Sequence, residues 1–197
     1  MYHHKYDAIA ENYDKFERIL DSFFLPLRQK AVSYAKGRTL EVGIGTGKNL
    51  PYYSKDVELY AIDGSEGMLK IAQKRAKKLG LDVKFFKMDA EKLSFPSEYF
   101  DTIIVSFVFC TVPNPVRAMG ELRRVLKPNG KIIFLEHTLS NSKVLNLLFL
   151  RILKLFLYPI LGDDTLRKTH NLVRDFFKIE REERYYLGIV RLMVCKK

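Results

Sequence analysis

Three glycines, Gly43, Gly45 and Gly47, follow the run Leu40-Glu41-Val42 at alternate positions. A strand that ends in such a turn leaves its backbone open, because a side chain there would block close approach of a ligand. Twenty residues beyond Gly43, at the end of a second apolar run, stands Asp63. A carboxylate in that place accepts hydrogen bonds from ribose hydroxyls. A third run ends in Met88-Asp89-Ala90-Glu91, where Asp89 can accept from an exocyclic amine such as that of adenine. The glycines follow G-x-G-x-G, one residue tighter than the dinucleotide pattern, so no standard seat for a pyrophosphate follows. His137 ends a later apolar run beside Glu136. An imidazole there, titrating near neutrality, can take a proton from a reacting group. The competing roles are helix capping for Asp63 and Asp89 and shaping of a pocket wall for His137.

These residues need strands to place them at one edge of a sheet. Strands are predicted at Thr39–Val42, Glu58–Ile62, Val83–Lys87, Thr102–Ser106 and Lys131–Glu136, the last launched by the turn Pro128-Asn129-Gly130. Helical stretches alternate with them at Lys48–Tyr53, Gly67–Leu79 and Val116–Leu126. Such alternation means a parallel sheet with helices on both faces. Tyr6, Ile9, Tyr13, Phe16 and Leu20 fall at helical spacing, and a second helix is expected over Phe24 to Tyr34. A helix from after Asp163 to about Phe177 precedes two strand-like runs, Ile179–Tyr186 and Ile189–Cys195, which meet at Gly188 as an antiparallel hairpin.

The segments LEVGIGTG, AIDGSEGML, KMDAEKLSFPSEYFDTIIVSF and RVLKPNGKIIFLEH resemble the successive motifs of class I S-adenosylmethionine-dependent methyltransferases. The resemblance runs in order and spacing from about Tyr6 to His137. It implies an α/β, Rossmann-like fold with a mostly parallel seven-stranded sheet, a C-terminal antiparallel hairpin and helices on both faces. It implies that Gly43, Gly45 and Gly47 approach the methionine part of S-adenosylmethionine, with Glu41 organising the loop. Asp63 would bind the ribose hydroxyls, Gly64 and Met68 would flank the adenine, and Asp89 and Ala90 would read its edge. Ser106 and Phe107 would line the methionine side, and Tyr13 resembles the tyrosine that closes over the cofactor. The expected layout is one domain. Helices in residues 1–36 close the site, residues 39–137 bind the cofactor, residues 140–170 form a hydrophobic helical insertion, and residues 176–197 form the closing hairpin. The pattern LEVGIGTGKNLPYY, with FVFCTVPNP and FLEH, is similar to bacterial phosphatidylethanolamine N-methyltransferases. AEKLSFPSEYFD is closer to quinone-biosynthesis methyltransferases.

The acceptor is where the residues leave several readings open. With 34 Lys and Arg against 23 Asp and Glu, the net charge of +11 favours anionic surroundings. Ser142 to Leu161 is almost wholly apolar, and its cations Lys143, Arg151 and Lys154 fall on one quarter of a helical wheel. Such a stripe suits a helix lying in a lipid headgroup layer; a lid over the acceptor pocket, or a dimer contact, is the alternative. Phe23-Phe24-Leu25, near Arg28 and Lys30, would extend the same surface. The expectation is a cytoplasmic enzyme, peripheral on the inner face of an anionic membrane, acting on a hydrophobic or lipid acceptor. Phosphatidylethanolamine is the first choice, and an isoprenoid quinone ring or a small hydrophobic thiol or phenol the second. A non-catalytic cofactor- or lipid-binding module is a third reading. A nucleic-acid partner is not expected, because Ser106-Phe107-Val108-Phe109 stands where an amine-clamping Asn-Pro-Pro-Tyr motif would be. Two cysteines, Cys110 and Cys195, exclude a disulfide framework. No metal site is expected: His3 and His4 lack partners at metal spacing, and His170 beside Arg167 and Lys168 is expected to face solvent. Tyr6, Tyr185 and Tyr186 are further candidates for the wall of the acceptor cavity.

Overall fold

The structure, a computed structural model, describes residues 6–7, 10, 23–138 and 168–197. Among the described residues, seven strands form one sheet: β1 (Arg38–Val42), β2 (Glu58–Asp63), β3 (Val83–Lys87), β4 (Phe100–Ser106), β5 (Leu126–His137), β6 (Lys178–Tyr185) and β7 (Val190–Lys196). The helices are α1 (residues 23–32), α2 (Glu66–Leu79), α3 (Pro115–Val125) and α4 (Thr169–Phe176). The strand order is β3-β2-β1-β4-β5-β7-β6. All pairs are parallel except β5 with β7 and β7 with β6. This is the Rossmann-like sheet with its antiparallel hairpin.

Alternation along the strands builds two cores. On β4, Ile103 and Val105 face a cluster that includes Leu122 of α3 and Val173 of α4. Ile104 points the other way, to Leu27 and Ala31 of α1 and Leu69 and Ala72 of α2. Each such fully buried aliphatic side chain contributes roughly 1.5–3 kcal/mol, so the central strands lock the helices to both faces. Local chemistry sets the helix ends. The Ser65 hydroxyl accepts from the Met68 amide at 3.1 Å to start α2, and Gly80 ends it in the left-handed conformation at φ 65°. Asn114 accepts from the Arg117 amide at 3.1 Å, with Pro115 in the first turn of α3.

Two expectations are corrected. Lys48–Tyr53 is not a helix but a single 3-10 turn over Leu50–Tyr52. Pro51 opens that turn without an N–H to give, and the chain must reach β2 within a few residues. The fifth strand begins at Leu126 rather than after Gly130. Phe100 pairs with Leu126 and Thr102 with Lys131, so the proline-containing turn sits inside the strand as an irregularity. Gly130 is needed there because a Cβ would lie 2.7 Å from Leu126 Cδ1 and 3.0 Å from the Asp101 carbonyl oxygen. Of the expected N-terminal helix, Tyr6, Asp7 and Ala10 are helical, and Tyr13 lies outside the described residues. So does the apolar segment Ser142–Leu161 with Lys143, Arg151 and Lys154. Among the described residues no helix is long and apolar enough to cross a membrane.

Candidate functional site

A cleft of about 980 Å³, counting its open mouth, lies at the carboxyl ends of β1, β2 and β4. The strand order reverses between β1 and β4, and a crevice at such a switch point is where open α/β sheets bind ligands. Gly43, Gly45, Asp63, Gly64, Met68, Asp89, Ala90, Ser106 and Phe107 all line it, together with Tyr6 and Arg28. Glu41, Gly47 and His137 stand outside that wall.

The three glycines share a left-handed backbone, with φ of 66°, 55° and 80° at Gly43, Gly45 and Gly47, yet what each lets approach differs. A Cβ on Gly43 would lie 2.5 Å from Val108 Cγ2, and one on Gly47 would lie 2.6 Å from Leu50 Cδ1 and 3.3 Å from the Ala72 Cα. A Cβ on Gly45 would meet nothing within 4 Å. Gly45 is therefore the glycine that opens onto ligand space. Gly43 admits the turn after β4, and Gly47 seats the loop against α2.

Neither acid caps a helix. Asp63 Oδ2 accepts from the Gly45 amide and Oδ1 from the Ser65 amide, both at 2.8 Å. The cap of α2 is Ser65, and no helix follows Asp89, whose Oδ1 accepts from the Glu91 amide at 2.9 Å. Asp7 reaches the same corner, where Oδ1 accepts from the Ser65 hydroxyl at 2.6 Å and from the Gly67 amide at 2.8 Å.

Behind the glycine loop runs a buried polar chain. Asn49 Nδ2 donates to Glu41 Oε1 at 2.7 Å and to the Ser106 hydroxyl at 3.1 Å. Arg28 Nη1 donates to Asn49 Oδ1 at 3.3 Å. Burial lifts the Glu41 carboxyl to about 7, against the opposing pull of the Tyr53 hydroxyl, the Asn49 amide and the Arg28 charge. One side-chain amide thus joins β1, the loop, β4 and α1. Sequence reasoning named Glu41 but not Asn49 or Arg28 as site residues. The Gly-Lys-Asn sequence after the loop was the available signal for Asn49; Arg28 offered none beyond its charge.

His137 packs against Phe107 at 4.5 Å and Phe24 at 5.7 Å between ring centroids. Burial, and then the Arg28 charge, push its pKa down to about 4. The expected titration near neutrality is corrected: the ring is neutral throughout the physiological range and sits behind Phe107 rather than on the cleft wall. Phe107 itself has φ 58°, a strained conformation for an aromatic residue. It is held by its own amide donating to the Leu135 carbonyl at 2.8 Å. The amides of Val108 and Phe109 donate to Glu136 Oε1 at 2.9 and 3.2 Å, fixing the next residues of the turn.

His170 also departs from expectation. Its Nδ1 lies 2.6 Å from the Thr138 hydroxyl, joining the end of β5 to α4, and burial with nearby Arg191 and Arg174 holds its pKa at about 4. Tyr185 and Tyr186 do not line the cleft. The Tyr185 hydroxyl donates to Glu183, and the Tyr186 hydroxyl donates to the Phe23 carbonyl at 2.8 Å. Among the described residues, no group of three or more His, Cys, Asp or Glu could hold a metal ion.

Comparison with known proteins agrees with this geometry. Residues 40–134 match the family described as "Methyltransferase domain". The chain is 37% identical over 142 residues to phosphatidylethanolamine N-methyltransferase of Cereibacter sphaeroides, covering 66% of this chain and 68% of that protein. It is 35% identical over 140 residues to demethylmenaquinone methyltransferase of Thermus thermophilus, covering 66% and 63%. A ubiquinone/menaquinone biosynthesis C-methyltransferase of Bdellovibrio bacteriovorus is 33% identical over 152 residues, covering 73% and 65%. The chain thus spans slightly less than two thirds of the length of the two quinone enzymes. In fold, it superposes on a methyltransferase structure from Thermotoga maritima with TM-score 0.73 and 23% identity, over 98% of this chain and 99% of that one. An S-adenosylmethionine-dependent methyltransferase from Aquifex aeolicus gives TM-score 0.61 and 23% identity, over 81% and 80%. With its switch-point cleft, its glycine loop and two relatives above one third identity, the chain belongs to the S-adenosylmethionine-dependent methyltransferases.

Proposed function

We propose that this enzyme methylates the amine of a lipid headgroup at a membrane surface, with phosphatidylethanolamine as acceptor. The observation that carries the proposal is the 37% identity to a phosphatidylethanolamine N-methyltransferase. A surface feature supports it. From the cleft wall at Phe107, an aromatic file runs through Phe24 at 5.1 Å to Tyr186 at 6.2 Å, and Phe23 lies 6.2 Å beyond. Phe23, Tyr186 and Leu187 are 54%, 44% and 73% exposed. Exposed aromatic and leucine side chains at the outer end of a file of rings suit the boundary of a bilayer, and the net charge of +11 suits an anionic one.

The cleft fits the cofactor. Gly45 leaves open space, and both oxygens of Asp63 are held by backbone amides and so aimed. In this reading Asp63 takes the ribose hydroxyls, Asp89 and Ala90 the adenine edge, and Gly64 and Met68 its faces. Ser106 and Phe107 border the methionyl end. When bound, S-adenosylmethionine would supply a sulfonium methyl carbon open to in-line attack by an amine lone pair, the thioether leaving with the C–S electrons. The protein's part is to align and to exclude water. A general base is the role least suited to His137. Its conjugate acid, near 4, lies ~6 units below an ordinary ammonium, a mismatch of ~8 kcal/mol. His137 instead backs Phe107 and keeps that wall apolar, and the ammonium proton leaves to water before transfer.

The 35% and 33% identities to quinone enzymes favour a second reading, methylation of an isoprenoid quinone ring. Incubating the protein with labelled methyl donor and vesicles containing either phosphatidylethanolamine or demethylmenaquinone separates the two. Label in monomethyl-phosphatidylethanolamine is the expected result. Label only in the quinone would overturn the headgroup reading.

A further inference from the structure

Arg28 is buried to 9% exposure on the inner side of α1, and it lines the cleft. A guanidinium carries five N–H donors and keeps its charge at any working pH. Here Nη1 makes one long bond, 3.3 Å to Asn49, while the buried Nε has no partner. Among the described residues Arg28 makes no ion pair. Glu41 is the acid whose field it feels, but one Glu41 oxygen is taken by Asn49, and burial leaves that carboxyl half protonated near neutrality. The guanidinium is held in place nonetheless, 4.9 Å from the Phe107 ring centroid on one side and bonded to Asn49 on another. Asn49 in turn donates to Ser106 on the cleft wall. A largely buried charge with an unbonded buried donor and no ion pair among the described residues is costly unless a ligand completes it.

We propose that Arg28 is the anion-binding residue of the cleft, its guanidinium held ready for an oxyanion of a bound ligand. Two ligands present one: the α-carboxylate at the methionyl end of the cofactor, and the phosphate of a lipid headgroup. The second source rests on the acceptor reading above; the first does not. In both, the fork of donors matches a planar or tetrahedral oxyanion better than an ammonium would, so Arg28→Lys restores only part of what Arg28→Met removes.

The test compares ligands with and without the oxyanion. Binding of S-adenosylhomocysteine and of 5′-methylthioadenosine, which lacks the amino-acid end, is measured by calorimetry on the wild type, Arg28→Met and Arg28→Lys. If the carboxylate is the partner, Arg28→Met weakens S-adenosylhomocysteine ~10- to 100-fold and leaves 5′-methylthioadenosine unchanged. If the phosphate is the partner, both affinities hold, while KM for phosphatidylethanolamine in neutral detergent micelles rises ~10-fold or more at constant kcat. Wild-type values in all three measurements overturn the proposal and leave Arg28 a structural neighbour of Asn49. Should Arg28→Met fail to fold, the Arg28→Lys variant decides by the same comparison. If the wild type shows no turnover of phosphatidylethanolamine, the acceptor reading fails by itself and the carboxylate measurement decides Arg28.

Discussion

At the level of single residues, Asp63 is the strongest lever on cofactor binding. It organises Gly45 and Ser65 through two amide bonds and lines the cleft. Asp63→Ala should weaken S-adenosylmethionine by ~10- to 100-fold in calorimetry, since charged hydrogen bonds are worth ~1.5–3 kcal/mol each; wild-type affinity would remove the ribose assignment. His137→Gln should keep most of the turnover, and no limb of the pH–rate profile near neutrality should disappear with it. A loss of ~10²-fold or more would restore the base. The histidines should instead appear in stability. His137 and His170, with pKa values near 4 against 6.5 when unfolded, bind fewer protons folded than unfolded between those values. Their contribution is whole above pH 6.5 and is lost as pH falls toward 4. Glu41, raised from 4.5 to about 7, works in the opposite sense, so its contribution falls as pH rises from 4.5 to 7. Melting temperatures across pH 4 to 8 should show less acid sensitivity in His137→Gln and more in Glu41→Gln.

Elements carry a different set of consequences, beginning with the loop after β1. Gly47→Ala puts a Cβ against Leu50 and Ala72 at φ 80° and should lower stability by ~1–3 kcal/mol. Gly45→Ala has room for its methyl group and should cost ~1 kcal/mol for the backbone alone, while weakening the cofactor more than Gly47→Ala does. Chemical denaturation and calorimetry, run together, should separate the two. The turn between β6 and β7 is a second case. Tyr186 and Leu187 are successive non-glycine residues at φ 51° and 57°, and Leu187 is largely exposed. Leu187→Gly should raise stability by ~1 kcal/mol through relief of that strain, and it should reduce binding to anionic vesicles. If vesicle binding is unchanged, the hairpin tip takes no part in docking. The elements themselves were largely legible in the chain. An unbroken apolar run, Ile103-Ile104-Val105, marks β4, and the expected helix Gly67–Leu79 matches α2 to within one residue. What sequence could not show was local backbone detail and contact across the fold. Pro128-Asn129-Gly130 reads as a turn, yet its neighbours pair as strand because Phe100 and Thr102 offer partners on either side of the irregularity. Asp63, Asp89 and the loop are visible because they lie at strand ends, which periodicity locates. Arg28 is not, because its place in the cleft depends on how α1 packs across Leu27 and Ala31.

For the whole molecule, the basic charge and the aromatic file predict association with membranes. Co-sedimentation should rise with the fraction of anionic lipid and fall with salt, since each cation near the surface contributes ~1 kcal/mol. Binding indifferent to both would favour an acceptor that reaches the cleft from solution. One joint bears on how such an enzyme could come to serve different acceptors. Thr138, one residue past β5, and His170, in the first turn of α4, touch at 2.6 Å. The described residues on either side of 139–167 therefore stand side by side, one at the end of β5 and the other on α4. Doubling a closed loop costs only ~0.6 kcal/mol. The joint offers a splice point for a test: with segments from related enzymes transplanted between Thr138 and Thr169, cofactor binding should survive, and a changed acceptor preference would trace that choice to the transplanted residues.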